Sequence, residues 1–297
     1  MRRPAACCSS VLLALAGLLL LPRGAAAGLA VTVSPAEARQ GDILVVRVTV
    51  PEAPETLRGT FAGRPLLFVP EGEGAYRALV GIDLQHLPGI YSVTLHWRAQ
   101  EAEVTHELPV PVRDGAFPIQ RLTLPPRMVD PDPTDLPRIR EEQELLETLF
   151  AQADGIPQFA GLFVLPLDPA SQPSGTFGRR RLLNGRLRSP HTGEDFPAPV
   201  GTPVYASNRG RVAYTGVLYF AGRCVILDHG LGLYTLYFHL DTIAVEPEEV
   251  VERGHLLGRV GATGRATGPH LHWGARLGPA RVDPMALLRL ADTAGRP

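Results

Sequence analysis

Short apolar runs, each closed by a glycine- or proline-bearing turn, recur over most of this chain, and that pattern points to β-sheet. Between residues 29 and about 112 the clearest runs are 44–50, 65–69, 76–82 and 91–97. Pro51-Glu52, Gly63-Arg64-Pro65, Glu71-Gly72-Glu73-Gly74 and Leu87-Pro88-Gly89 punctuate them at near-regular intervals. Such spacing predicts an immunoglobulin-like β-sandwich over residues 28–115. With no Cys…Trp…Cys pattern, the expectation extends to sandwich architecture only.

Prolines then crowd the chain in Leu124-Pro125-Pro126, Asp130-Pro131-Asp132-Pro133 and Leu136-Pro137, which cannot form a regular sheet or helix core. From Asp135 to Phe150 the pattern turns helical, with Asp135 as a plausible N-cap and Ile139, Leu145, Leu146 and Leu149 at near-helical spacing. Residues 116–158 are therefore read as a Pro-rich linker with one short helix, which either acts as a hinge or spacer or packs against the C-terminal unit. From Phe163 onward short strand-like runs return at 204–206, 210–214, 225–227, 233–238 and 271–273. This second folded unit is placed at 159–290, with a tail at 291–297. No internal repeat is present.

The first 27 residues read as an export signal. Arg2 and Arg3 precede an apolar run at 11–21 that is short for a membrane span, and Ala25-Ala26-Ala27 offers small residues for cleavage. Cys7 and Cys8 precede that run, where a lipid-modified cysteine would follow it. Cleavage after Ala27 leaves 26 arginines against 30 carboxylates, a net −4, which gives no basic surface for nucleic acid. It also leaves Cys224 as the one cysteine, so no intramolecular disulfide is expected, and its strand-like setting suggests a buried inert thiol. All basic side chains are arginine, a bias consistent with a GC-rich bacterial genome.

Six of the nine histidines fall from residue 191 onward. In Gly268-Pro269-His270-Leu271-His272-Trp273, two histidines one residue apart on an apolar run point to the same face of a strand. Imidazole and carboxylate are both zinc ligands, and Asp195 in His191-Thr192-Gly193-Glu194-Asp195 supplies a candidate carboxylate. Two histidines and one carboxylate, with a position left for water, make a catalytic rather than a structural arrangement. No helical H-E-x-x-H signature occurs.

Over roughly residues 177–288 the chain resembles the lysostaphin-type (LytM-type) zinc metallopeptidases of bacterial cell walls. The resemblance rests on an ordered set: Asn184-Gly185-Arg186, His191-Thr192-Gly193-Glu194-Asp195-Phe196, Gly201-Thr202-Pro203-Val204-Tyr205-Ala206, Leu227-Asp228-His229-Gly230, Tyr237-Phe238-His239-Leu240, Gly261-Ala262-Thr263-Gly264 and Thr267-Gly268-Pro269-His270-Leu271-His272. It implies an antiparallel β-sheet peptidase domain with one Zn2+ held by His191, Asp195 and His272. It implies His239 and His270 as catalytic histidines, and Asn184 with Arg186 as substrate-binding residues. The implied activity is hydrolysis of peptidoglycan stem or cross-bridge peptides by zinc-activated water, in the periplasm or cell envelope of a bacterium. A second reading, a catalytically inactive relative that activates another wall hydrolase, is disfavoured because such relatives lose ligands and all five residues are intact. A purely structural zinc would need a fourth protein ligand, for which Cys224 is the soft candidate.

Several neighbours carry their own expectations. Glu194 is read as a solvated loop residue, His229 as a structural turn residue and His255 as a surface hairpin residue. His86, His96 and His106 lack ligand spacing. Arg179, Arg180, Arg181, Arg186 and Arg188 form either a solvated basic loop or a groove wall that pairs with substrate carboxylates. The N-terminal unit carries no motif, which leaves open an envelope protein partner, a glycan, or a gating or spacing role.

Overall fold

The computed structural model describes residues 29–50, 54–99, 102–123, 130–153 and 155–290. The expected export segment with Cys7 and Cys8, the Leu124-Pro125-Pro126 run and the tail 291–297 lie outside the described residues. The fold is mainly β.

The N-terminal strands are β1 (Ala30–Ser34), β2 (Ala38–Arg39), β3 (Ile43–Thr49), β4 (Thr56–Phe61), β5 (Arg64–Pro65), β6 (Val69–Gly72), β7 (Ala75–Gly81), β8 (Gly89–Ala99) and β9 (Ala102–Arg113). They form two sheets, ordered β1-β3-β7-β6 and β2-β9-β8-β4-β5. Side chains alternate across a strand, so each sheet offers one apolar face. Leu44, Val46, Val48, Val80 and Ile82 of the first sheet meet Phe61, Val93, Leu95, Val110 and Val112 of the second in one core. The pair is a sandwich. The run 65–69 is not the single strand its composition suggests. β5 closes in the second sheet and β6 opens in the first, so residues 66–68 carry the chain between sheets.

The first half of β3 is buried on both faces. Leu44, Val46 and Val48 point into the sandwich, whereas Ile43 and Val45 join a second core shared with the C-terminal domain. A strand covered on both sides reads as a continuous apolar run.

The C-terminal domain begins with β10 (Ile119–Leu122), which pairs parallel to β11 (Arg180–Leu183), itself joined antiparallel to β12 (Arg186–Leu187). Next come β13 (Gly193–Pro197), β14 (Pro203–Tyr205), β15 (Gly210–Leu218), β16 (Gly222–Asp228), β17 (Leu233–Ile243), β18 (Val250–Val251), β19 (Leu256–Val260), β20 (His270–Leu277) and β21 (Ala280–Val282). These nine make one antiparallel sheet along β13-β20-β17-β16-β15-β18, with β19 joining β14 to β17 and β21 on β20. Phe196, Val225, Leu227, Tyr237, Leu271 and Trp273 are among its fully buried core.

The sandwich and this sheet meet closely. A Cβ on Gly81 would lie 2.9 Å from Ala280 Cβ and 3.0 Å from Leu277 Cβ, so glycine permits the approach. Arg281 donates to both carboxylate oxygens of Asp83, through Nη2 at 2.7 Å and Nε at 2.9 Å. Asp283 N donates to Gly41 O at 2.8 Å.

The helix α1 (Leu136–Phe150) packs on the sheet, with Leu146, Leu149 and Phe150 against Ile226, Tyr234 and Leu236. Of the two roles the sequence leaves open, packing is the one found. Asp135 makes no side-chain cap; instead Asp132 accepts from Thr134 N at 2.9 Å and caps a 3-10 turn, Pro133–Asp135, out of which α1 grows. A short helix α2 (Pro284–Leu287) is capped by Asp283.

Candidate metal centre

The register of three adjacent strands assembles the site. Asp195 on β13 lies opposite His272 on β20, and His272 lies opposite Phe238 on β17. His191 precedes β13, held by its N–H to Arg179 O at 3.0 Å and by Gly178 N donating to its carbonyl at 2.8 Å. Its Nδ1 donates to Thr176 O at 3.1 Å, which leaves the Nε2 lone pair facing inward.

His191 Nε2, His272 Nδ1 and Asp195 Oδ1 converge on one point. Their separations are 2.9 Å between the imidazoles, 3.0 Å from His272 to Asp195 and 3.2 Å from His191 to Asp195. Donors at 2.0–2.1 Å from a tetrahedral ion stand roughly 3.3–3.4 Å apart, only slightly wider than this triangle. Three electron-rich atoms this close need protons or a cation between them, and two nitrogens with a carboxylate suit a borderline-soft divalent ion. Gly193 gives the His272 ring its room, since a Cβ there would lie 2.5 Å from His272 Nε2. Among the described residues this is the cluster of titratable side chains able to hold a metal ion.

Electrostatics follow from burial. Burial pushes His272 down to about 4, against the opposing pull of its hydrogen bond to Asp195. Burial alone would raise the Asp195 carboxyl, but hydrogen bonds from His191 and His272 hold it well below the carboxylate range. Asp195 therefore stays anionic.

His239 and His270 stand beside the cluster. His270 Nδ1 donates to Gly268 O at 2.8 Å, and its Nε2 lies 3.7 Å from Asp195 Oδ1. His239 occupies a β-bulge: the β16–β17 register passes from Arg223↔Leu240 to Val225↔Tyr237, leaving an extra residue on β17. Its φ is +63°, a left-handed conformation uncommon outside glycine, and the bulge re-aims its side chain off the regular pleat. His239 Nδ1 donates to Thr263 O at 2.8 Å, and its ring centroid is 4.7 Å from that of His270. Burial, then the neighbouring His272 and His270, push His239 down to about 3, so it is neutral at neutral pH.

The structure does not bring Asn184 or Arg186 to the cluster. Asn184 and Gly185, with φ of +49° and +78°, form the two-residue turn between β11 and β12, and both are exposed. Arg186 is exposed and pairs with Asp130 at 3.4 Å. From the basic run it is Arg181 that reaches inward, with Nη2 3.9 Å from Asp195 Oδ2. Alternation on β11 turns Arg181 in and Arg180 out, a distinction the run of arginines does not show by itself.

Glu194 is not solvated. It is 2% exposed on the opposite face of β13 from Asp195, and its carboxylate accepts from Thr176 N at 2.9 Å and Phe177 N at 3.3 Å. It braces the segment that supplies the Thr176 carbonyl to His191. Cys224 is buried among Leu218, Ala221 and Phe238, its thiol pushed up to about 12 by burial, and it is not part of the metal-binding group. His229 is wholly buried, and His255 is exposed 3.6 Å from Glu249.

Residues 189–284 match peptidase family M23. Over 109 residues the chain is 44% identical to a peptidoglycan DD-endopeptidase, ShyA, of Vibrio cholerae, covering 36% of this chain and 25% of that protein. Over 130 residues it is 38% identical to a DD-carboxypeptidase/endopeptidase, Mpg, of Neisseria meningitidis, covering 39% of this chain and 30% of that protein. The match thus spans between a quarter and a third of the length of these curated relatives. A crystal structure of a putative peptidase M23 from Pseudomonas aeruginosa superposes with a TM-score of 0.62 at 32% identity, covering 84% of this chain and 94% of that one. With a likeness that runs through both domains, the chain belongs to peptidase family M23.

Proposed function

We propose that the protein is an exported zinc metallo-endopeptidase of the bacterial envelope that hydrolyses peptide cross-links of peptidoglycan. The observation that carries this reading is the convergence of His191 Nε2, Asp195 Oδ1 and His272 Nδ1 within 3.2 Å of one another, with two more histidines at its edge. These three residues would hold the zinc, which when bound supplies a Lewis acid that polarises a carbonyl and makes water acidic enough to attack near neutral pH.

The remaining chemistry belongs to the chain. Asp195, held anionic, offsets part of the ion's charge. His239 and His270 each commit Nδ1–H to a backbone carbonyl, which fixes the ring and leaves Nε2 to exchange protons. When neutral, either can take a proton from the attacking water and return it to the leaving amine. When protonated, either can donate to the carbonyl oxygen as charge develops there. Asn184 and Arg186, at the tip of the β11–β12 hairpin, would meet substrate farther from the metal. The strand orders β1-β3-β7-β6 and β2-β9-β8-β4-β5 support the immunoglobulin-like reading of the sandwich, whose second sheet could receive an envelope protein partner.

Incubating sacculi with the mature protein, with and without chelator, and identifying the released muropeptides by mass spectrometry tests the reading. Chelator-sensitive release of peptide-cleaved fragments is expected. Zinc-loaded protein that binds sacculi yet releases nothing would replace this reading with that of an inactive activator.

A further inference from the structure

His239 is held in its left-handed conformation from two sides. Its backbone N–H donates to Ala221 O at 2.8 Å, and its ring Nδ1 donates to Thr263 O at 2.8 Å. Ala221 lies in the turn 219–221 that joins β15 to β16, and Thr263 lies between β19 and β20. The two loops interlock. A Cβ on Gly222 would lie 2.6 Å from Gly264 N, and one on Gly264 would lie 2.7 Å from Phe220 O, so glycine is what lets the backbones approach. Arg265 N donates to Phe220 O at 2.9 Å, while Thr263 Oγ1 accepts from Arg223 N at 2.9 Å and donates to Leu240 O at 2.8 Å. A φ of +63° on a residue with a side chain persists only where its surroundings over-determine it. Here the two loops supply that constraint.

The turn is itself gripped from outside the sheet. The β15–β16 ladder ends at Leu218↔Gly222, so Tyr219 N lies beyond the strand pairing. It donates instead to Glu142 Oε2 of helix α1, at 2.7 Å. Glu142 Oε1 accepts from Arg138 Nε at 2.7 Å, and Arg138 Nη2 reaches Val217 O at 3.3 Å. One turn farther along the same helix face, Leu146 packs against Leu218, Ala221 and Cys224. The Glu142 side chain is 17% exposed, so its bond to Tyr219 N is both charge-assisted and partly shielded from water.

We propose that Glu142 is a positioning residue for His239, fixing through Tyr219 N the turn on which the His239 bulge hangs. Glu142 lies outside the metal cluster and acts by keeping Ala221 O where the His239 amide meets it, which preserves the aim of the ring. A residue of the region between the two domains thereby sets the geometry of a histidine on the central sheet. Glutamine at 142 would offer one uncharged acceptor oxygen in place of two charged ones, and so would weaken the grip without abolishing it. The consequence for turnover rests on the peptidase reading; the chain of hydrogen bonds does not.

The test follows backbone amide hydrogen exchange by NMR in the zinc-loaded full chain labelled with 15N-histidine. Glu142→Ala should speed exchange of the His239 amide by about ten- to a hundredfold, the worth of one charge-assisted hydrogen bond. The amides of His191 and His229, bonded to Arg179 O and Leu233 O, should keep their wild-type rates, which a general loss of stability would not allow. Glu142→Gln should fall between, and Glu144→Gln, at an exposed position of the same helix, should match wild type throughout. On sacculi, Glu142→Ala should release muropeptides about ten- to a hundredfold more slowly with zinc content unchanged, the cost of a misaimed group. An unchanged His239 rate, a rise shared equally by His191 and His229, or faster exchange with undiminished turnover overturns the proposal. Should Glu142→Ala fail to fold, Glu142→Gln carries the same test, and a wild-type His239 rate there overturns it too. Because exchange needs no cleavage, wild-type protein that leaves sacculi whole would count against the peptidase reading alone.

Discussion

His229, in the turn between β16 and β17, and His272, on β20, are both buried imidazoles, and burial pushes both down to about 4. They differ in where their nitrogens go. His229 has both satisfied internally: Nδ1 donates to Arg209 O at 2.8 Å, Nε2 shares a 2.7 Å hydrogen bond with Thr235 Oγ1, and Phe163 packs edge-on against the ring. His272 turns Nδ1 to a point that His191 and Asp195 also face. Burial and a shifted pKa are thus common to a histidine satisfied within the fold and to one in the candidate metal cluster. What separates them is that the His272 nitrogen faces two other potential metal ligands.

The sharpest way to break this contrast is substitution at the open cluster. His272→Ala should lose tight zinc binding and all zinc-dependent activity together, as read by metal analysis of the purified protein. Near-stoichiometric zinc in that variant would end the ligand assignment. His239→Ala should keep most of the metal while kcat falls by about 100- to 10,000-fold, the usual worth of a positioned proton-transfer group.

At the closed pocket the expected effects move from activity to stability. His229→Ala should destabilise the fold by about 2–4 kcal/mol, through a cavity and the Arg209 carbonyl left without the imidazole, while the folded fraction keeps its zinc and turnover. Denaturant titration with parallel metal analysis separates these. pH offers a milder perturbation. Because the His229 pKa is lower in the fold than in the unfolded chain, unfolded chains take up the proton first. Its contribution is therefore full above about pH 6.5 and is lost as pH falls towards 4, by roughly 3 kcal/mol in all. His229→Gln should flatten that part of the stability–pH curve measured on metal-free protein. Smallest should be Glu194→Gln, which keeps two backbone N–H groups partnered but removes the charge, for about 1–2 kcal/mol and a modest loosening of zinc.

How much of this was legible in the sequence depends on how local each feature is. His270 and His272 share a face because a strand has period 2, and spacing alone shows that. The side of β13 that Glu194 takes is set by the strand's register with β20, so its burial did not show. The positive φ of His239 comes from a bulge between β16 and β17, which no spacing encodes. In the basic run, only the pairing of β11 with its neighbours separates Arg181 from Arg180. The four apolar residues 43–46 that open β3 did carry a signature of two-sided burial, but not the identity of what covers the outer face.

That covered face has a mechanical consequence. Ile43 and Val45 sit in one core with Leu277, Ala280 and Val282, and β20 runs from His270 at one end to Leu277 at the other. The sandwich is therefore clamped to the very strand that carries His270 and His272. Whatever surface the sandwich comes to rest on, the His191–Asp195–His272 cluster stands at a set height above it.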